Sequence, residues 1–157
     1  MKNFQNKTKI IKVSKVIRSI LFAGLALWIA GGIPIILVQS FNLWKSIGGR
    51  ATLYLQGGVV VLIIFSFVVN LCLFRFFDRL KNGHLFDAKT VGNLDAAGKW
   101  WIVLWLLEFL FYQIGHEVFN ISNGWGFSNL FAGLTLVFVA WLLKEAQELQ
   151  EEQELTV

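Results

Sequence analysis

Residues 75–99, RFFDRLKNGHLFDAKTVGNLDAAGK, decide how this chain is organised. They form a long polar interval that carries both signs of charge between hydrophobic runs. Gly83 is expected to end a first helix, because glycine tolerates the left-handed conformation that closes many helices. Asp87 is expected to cap a second helix that runs through Ala97. The stretch therefore predicts a helical hairpin over residues 75–99.

The composition points to a membrane protein. Apolar residues make up 56% of the chain and charged residues 15%, whereas a soluble domain carries about 25% charged residues. A helix needs about 20 apolar residues to cross the hydrocarbon, and four stretches meet or approach this length: 19–38, 55–74, 100–120 and 127–143. The predicted fold is all-α, a polytopic membrane protein with four transmembrane helices. The hairpin joins spans two and three, and an acidic helical tail follows at 144–157.

The distribution of Lys and Arg predicts the orientation. Six basic residues precede the first span, five lie between spans two and three, and Lys144 follows the fourth, against two in the first loop and none in the third. Because basic residues favour the cytoplasmic side, both termini are expected in the cytoplasm. A cleaved signal peptide is the alternative for the N-terminal segment. The apolar run 20–38 is longer than a signal sequence, however, and three further spans follow.

The sequence lacks the residue patterns that several kinds of binding and catalytic site require. Cys72 stands alone, so neither an intrachain disulfide nor a Cys/His metal spacing exists. No nucleophile–base pair or phosphate-binding loop is present, and the basic residues are not interleaved with residues that read bases. We therefore expect no enzymatic activity, no metal, no cofactor and no direct contact with nucleic acid.

Glu108 is the charge that falls well inside a predicted span. It lies ~12 Å from Trp100 at ~1.5 Å per residue, where an acid costs about 2.5–3.5 kcal/mol on insertion scales. It should face the bundle interior with a partner or remain protonated. One hypothesis is a carboxyl that locks helix packing; the other is a proton-linked or cation-binding site. The candidate polar site comprises Glu108, Tyr112 on the same helix face, and Ser66, Asn70 and Thr135 at matching depth.

The C-terminal tail has helical composition and is strongly acidic. Five glutamates follow Lys144, and Leu142, Ala146 and Leu149 form a short apolar stripe. The tail is either a solvated helix end or a docking element for the basic hairpin and N-terminal segment, or for another protein. The final residues, Leu155, Thr156 and Val157, are of the kind that carboxylate-capturing domains bind.

The chain resembles a family of four-span bacterial inner-membrane proteins catalogued as a domain of unknown function. The resemblance rests on LFRFFDRLKNGHLFDAKTVGNL, on an aromatic span after Gly98, and on the ending EEQELTV. Asp87 stands where the family usually has threonine. The matching hairpin positions are Arg79, Leu80, Gly83, Phe86, Val91, Leu94 and Gly98. The resemblance implies a location in the bacterial inner membrane. It also implies a small helix-turn-helix transcriptional regulator, often encoded alongside, as a cytoplasmic partner.

The leading functional hypothesis is a regulatory or interaction partner of that cytoplasmic regulator. A small proton-coupled transporter is the first alternative, a homodimer that uses Glu108; a passive assembly subunit of a larger membrane complex is the second. The candidate cytoplasmic interaction surface comprises Arg75, Arg79, Leu80, Gly83, Phe86, Asp87, Val91, Leu94, Leu155, Thr156 and Val157.

Overall fold

Four long helices make up the part of the chain that the computed structural model describes, residues 2–27, 29–30, 34, 38, 49–84, 87–120 and 126–155. They are α1 (Lys2–Leu27), α2 (Gly49–Lys81), α3 (Ala88–Phe119) and α4 (Ser128–Leu155). Within these ranges no β-strand is present. The all-α prediction is therefore confirmed.

Three helical segments are long and apolar enough to cross a membrane: Leu53–Lys81, Ala88–Phe119 and Ser128–Gln153. They contain the predicted span 55–74, all but the last residue of 100–120 and all but the first residue of 127–143. The remaining predicted span, 19–38, begins in α1, but most of its second half falls outside the described residues. The first of the four spans therefore stays a prediction.

The hairpin differs from its prediction at the second helix. A separate helix through Ala97 was expected before the third span, whereas α3 runs without interruption from Ala88 to Phe119. No proline falls between the two segments, and Gly98 is the only glycine at their junction. Packing against α4 holds Gly98 in a helical conformation. The hairpin and the spans it joins are consequently continuous rods.

The helices pack in a row in which each lies against its neighbour in sequence: α1 on α2, α2 on α3, and α3 on α4. Helices α2 and α3 are matched along their length. The Tyr54 hydroxyl donates a hydrogen bond to the Phe111 carbonyl, and Phe65 meets Trp100 edge to face with ring centroids 5.6 Å apart. The N-terminal end of α2 and the C-terminal end of α3 therefore stand at nearly the same level.

Helices α3 and α4 approach each other through a pair of glycines. A Cβ at Gly98 would lie 2.9 Å from the Gly133 carbonyl oxygen and 2.8 Å from the Val137 nitrogen. A Cβ at Gly133 would lie 3.0 Å from the Gly98 carbonyl oxygen. Small residues that let helix backbones touch are a common basis of packing in membranes. Neither glycine has room for a side chain.

The same two helices are staggered. The Trp105 indole nitrogen donates to the Gly126 carbonyl over 3.1 Å, so α4 begins level with the middle of α3. Fourteen residues of α3 follow Trp105. At ~1.5 Å per residue, the start of α4 therefore lies ~20 Å along the helix axis from the C-terminal end of α3. The stagger displaces the C-terminal end of α4 by a similar distance toward the end of the helix row where the hairpin lies.

Both terminal helices extend past the end of α2. Arg18 pairs with Asp78, three residues before α2 ends at Lys81. About twelve residues of α1, ~18 Å, therefore lie beyond that level. Ala140 packs with Val91 near the start of α3, which leaves about ten residues of α4, ~15 Å, beyond it. A basic helix end and an acidic helix end thus stand on the two sides of the hairpin.

Candidate functional site

Gly83 closes α2 as the sequence predicts. Its φ of 84° is in the left-handed region. The Gly83 N–H donates to the Leu80 carbonyl over 3.0 Å, and the His84 N–H donates to the Arg79 carbonyl over 3.1 Å. These two hydrogen bonds are the Schellman pattern, which satisfies carbonyls that the helix end would leave unpaired. The chain is thereby reversed within a few residues.

Asp87 caps α3, also as predicted. Its backbone is extended, with φ −85° and ψ 135°, and its carboxylate accepts a hydrogen bond from the Lys89 N–H over 3.1 Å. The same carboxylate forms an ion pair with Arg79. The hydrogen bond from Arg79, followed by that from the Lys89 N–H, lowers the pKa of Asp87 below its ordinary value. The Asp87 carboxylate therefore contacts both helices of the hairpin.

Arg79 and Thr90 complete the polar link across the turn. Arg79 Nε donates to Thr90 Oγ1 over 3.3 Å, and the Thr90 hydroxyl donates to the His84 carbonyl over 3.0 Å. Thr90 is fully buried, so these contacts replace its bonds to water. Thr90 was not predicted from the sequence. Its position three residues after the Asp87 cap was the pattern that could have indicated its role. Arg79, Asp87 and Thr90 hold the turn in one shape.

An apolar cluster lies beneath this link. Phe76, Val91, Leu94 and Ala140 form its buried centre, and Leu80 packs against it. Val91 and Leu94, which were predicted as part of the interaction surface, therefore point into the helix row. These two residues, and in part Leu80, stabilise the hairpin and offer little surface to a partner.

The accessible part of the predicted interaction surface is narrower than the sequence suggested. Arg75 is exposed, and Arg79 and Asp87 are about one-third exposed. Phe86, Thr156 and Val157 lie outside the described residues, and Leu155 is described in its backbone alone. The hairpin therefore presents mainly charged groups.

Asp78 joins α1 to the hairpin. Its Oδ1 lies 3.1 Å from Arg18 Nε, an ion pair without hydrogen-bond geometry, and 3.2 Å from Lys81 Nζ. The Arg18 guanidinium also lies over the Phe74 ring, 4.7 Å from its centroid. Both cations are directed at one carboxylate, and the contact with Arg18 fixes α1 against the C-terminal end of α2.

Glu108 lies between α3 and α4, where Asn129 holds it. The Asn129 amide nitrogen is 2.9 Å and 2.7 Å from the two carboxylate oxygens. The Trp101 indole N–H donates to the Asn129 carbonyl oxygen over 3.3 Å. Because an indole nitrogen only donates, this bond sets the orientation of the amide and turns its N–H groups toward Glu108. The three side chains form one chain of hydrogen bonds.

The predicted partners of Glu108 lie elsewhere. Asn70 donates to the Ser66 carbonyl of its own helix over 2.9 Å, and both residues line a cavity of about 770 Å³ between α1 and α2. The Thr135 hydroxyl donates to the Phe131 carbonyl, also within one helix, over 2.7 Å. Tyr112, one turn beyond Glu108, stacks with His116 at a centroid distance of 6.1 Å. The structure brings Glu108 together with Asn129 and Trp101 instead.

The stagger of α4 explains why the sequence analysis missed Asn129. Asn129 stands at the start of the predicted fourth span, 127–143, and equal span depths would place it far from Glu108. In the described residues, no group of three or more His, Cys, Asp or Glu side chains is arranged to hold a metal ion. Chemically, the Glu108 network is a fixed carboxylate with amide and indole partners.

The comparisons with known proteins give one match. The model of a family described as "Protein of unknown function (DUF2975)" matches residues 20–157. No curated protein and no solved structure matches the chain. The matched range contains the hairpin, the Glu108 network and the acidic helix end. The chain therefore belongs to the DUF2975 family.

Proposed function

We propose that this protein is an inner-membrane partner of a cytoplasmic transcriptional regulator, which it holds at the membrane surface. In this proposal both termini are cytoplasmic, so the hairpin and the two protruding helix ends face the regulator. The protein catalyses no reaction and does not itself contact DNA. The resemblance to proteins encoded beside small helix-turn-helix regulators gives the class of partner.

The observation that carries the proposal is the projecting C-terminal end of α4. Its glutamates extend past the hairpin, with those at 145, 148, 151 and 152 exposed. Leu149 on its apolar stripe is 54% exposed. An amphipathic helix with an uncovered apolar side is a common peptide-recognition element. A solvated helix end has no need of such a stripe.

Charge complementarity supports a DNA-binding partner. A protein that binds DNA carries a basic surface, and an acidic helix attracts that surface at long range. Contact with α4 would then compete with the phosphate backbone for the same cations. Membrane recruitment would therefore lower the amount of regulator available to DNA.

Co-purification of the regulator encoded beside the gene tests this. Deletion of residues 147–157 should abolish its capture by the full-length protein in mild detergent, while membrane insertion is retained. Replacement of Glu145, Glu148, Glu151 and Glu152 by Gln should weaken capture and remove its dependence on salt. Lys99→Gln, on α3, is the matched control and should leave capture unchanged. Equal capture by wild type and deletion variant would refute the proposal, and capture of integral membrane proteins in its place would favour an assembly subunit.

Proton-coupled transport by a homodimer is the second candidate, because Glu108 places a carboxylate inside an apolar helix. That function predicts that Glu108→Gln abolishes pH-dependent cation efflux from proteoliposomes. The bonds from Asn129 favour the packing role, for which Glu108→Gln changes stability and leaves ion flux at the background level of empty vesicles.

A further inference from the structure

A cavity at the cytoplasmic end of the hairpin is not used by the proposed function. It has a volume of about 520 Å³ and opens between α2 and α3. Its walls are formed by Phe74, Arg75, Asp78, Arg79, Lys89, Gly92 and Asn93. Three of these residues are cationic and one is anionic, so the cavity carries a net positive charge.

The single acid does not neutralise the cavity. Asp78 already faces Arg18 and Lys81, and Arg79 faces Asp87. Arg75 and Lys89 are exposed and form no ion pair with a carboxylate in the described part of the chain. Two cations on facing helices therefore remain available to an anion.

The donors in the cavity suit a phosphate group. A guanidinium presents its N–H groups in a fork that matches two phosphate oxygens, and a lysine ammonium adds a third contact as a point charge. The Asn93 amide is a neutral donor on the same wall. At Gly92 a Cβ would meet no atom within 4 Å, so the absence of a side chain there keeps the cavity open.

The depth of the cavity places it in the headgroup layer. Phe74 ends the predicted second span, and the lining residues Arg75 to Arg79 lie ~1.5–7.5 Å above it at ~1.5 Å per residue. The polar layer on each side of a bilayer is about 5–8 Å thick. Phe74 supplies an apolar floor, and the cations lie above it. Lipid phosphates lie at this height.

We propose that the cavity between α2 and α3 binds a phosphate group through Arg75, Lys89 and Asn93. The two sources of such a group at this height are the headgroup of an anionic phospholipid and a soluble phosphate ester. This site requires the cytoplasmic hairpin and no protein partner. The proposal of a phosphate site is therefore tested independently of the proposal of a regulator.

Lipid retention by the full-length protein tests the site. Phosphatidylglycerol or phosphatidylcholine is added to the protein in mild detergent, and bound lipid is counted by native mass spectrometry. A cation near the membrane surface contributes about 1 kcal/mol, or about fivefold in affinity. Arg75→Gln and Lys89→Gln should each weaken phosphatidylglycerol binding about fivefold, and the double variant about 25-fold. Gly92→Leu should weaken it with no change of charge, by filling the cavity.

Lys99→Gln and Lys144→Gln are the matched controls. Both cations are exposed and lie on the same side, but each forms an ion pair within its own helix. They should leave phosphatidylglycerol binding unchanged. Circular dichroism melting of each variant reports folding, so that a loss of lipid is compared among folded proteins.

Competition identifies the source of the phosphate. Millimolar glycerol 1-phosphate that displaces no phosphatidylglycerol, with phosphatidylcholine bound more weakly, assigns the site to the lipid. Binding of glycerol 1-phosphate with equal retention of the two lipids assigns it to a soluble ester. The proposal is refuted if the double variant and Gly92→Leu bind both ligands as wild type does. It is also refuted if the control variants lose as much binding, since that indicates general surface attraction.

Discussion

The two interfaces of α3 differ in register. Toward α2, the helices are matched end to end, and a short turn with its own hydrogen bonds sets their alignment. Toward α4, the helices are displaced by many residues, and a glycine contact and one half-buried chain of hydrogen bonds set the alignment. The first alignment is encoded locally in sequence, and the second depends on contacts between distant residues. The stagger carries the acidic end of α4 past the hairpin.

The largest effect is expected from Gly98→Leu, which attacks the displaced interface at its closest point. A leucine there collides with the Val137 nitrogen and the Gly133 carbonyl, neither of which moves independently of its helix. We expect a loss of about 3 kcal/mol in the free energy of unfolding, measured by titration with dodecyl sulfate in mixed micelles. Gly57→Leu is the control, because a Cβ at Gly57 meets no atom within 4 Å. Equal stability of the two variants would contradict backbone contact between α3 and α4.

Asn129→Leu tests the polar part of the same interface. It removes the donor to Glu108 and the acceptor from Trp101, so we expect a loss of about 1–3 kcal/mol in the same titration. Asn70→Leu is the matched control, since the Asn70 amide bonds within its own helix. In a double-mutant cycle with Glu108→Gln, the losses should be less than additive. Additive losses would show that Glu108 and Asn129 do not interact.

Thr90→Val tests the matched interface at its turn. Valine keeps the shape but breaks the hydrogen bonds to Arg79 and the His84 carbonyl in a fully buried position. We expect a loss of about 1–2 kcal/mol, seen as faster hydrogen exchange of the hairpin amides. Thr135→Val, at an exposed position whose hydroxyl bonds within its helix, should change exchange little. Unaltered hairpin exchange in Thr90→Val would mean that the turn is held by its backbone alone.

Acidification is expected to have the smallest effect, confined to the hairpin. The pKa of Asp87 is lowered in the folded protein by Arg79 and by the Lys89 N–H. Its contribution is therefore fully present above the ordinary aspartate pKa of about 3.9. It is lost as the pH falls through the lower folded value. The protection factor of the Lys89 amide, which corrects its exchange rate for the intrinsic pH dependence of amide exchange, should fall over this acidic range in wild type and be independent of pH in Asp87→Asn. A flat profile in wild type would separate Asp87 from the stability of the turn.

Local rules made the matched hairpin predictable. The backbone preferences of Gly83 and Asp87 predict a helix end and a helix start, and the structure confirms both. The long apolar runs likewise predicted α2, α3 and α4, since length and hydropathy suffice for a membrane helix. Two helix ends were misplaced, the end of the second hairpin helix at Ala97 and the start of the third span at residue 100. Both lie inside α3, because no proline separates the two segments.

The displaced interface was not predictable in the same way. The partner of Glu108 was sought at equal depth in each span, which led to Ser66, Asn70 and Thr135. The Gly98–Gly133 contact moves α4 along α3 and brings Asn129 into reach instead. Likewise, Val91 and Leu94 have the same apolar character whether they face a partner or the helix row. Their direction follows from tertiary packing, which a single sequence does not display.

The neighbour-to-neighbour row of helices has a consequence for biogenesis. From α2 onward, each described helix rests on the described helix that precedes it in the chain, so a newly inserted segment meets its binding surface already in place. These helices do not have to wait for a later one before they pack, and contacts close in sequence are formed with little search. Assembly can therefore keep pace with translation. The glutamate-rich end of α4 therefore becomes available only after the described helices that precede it in the chain.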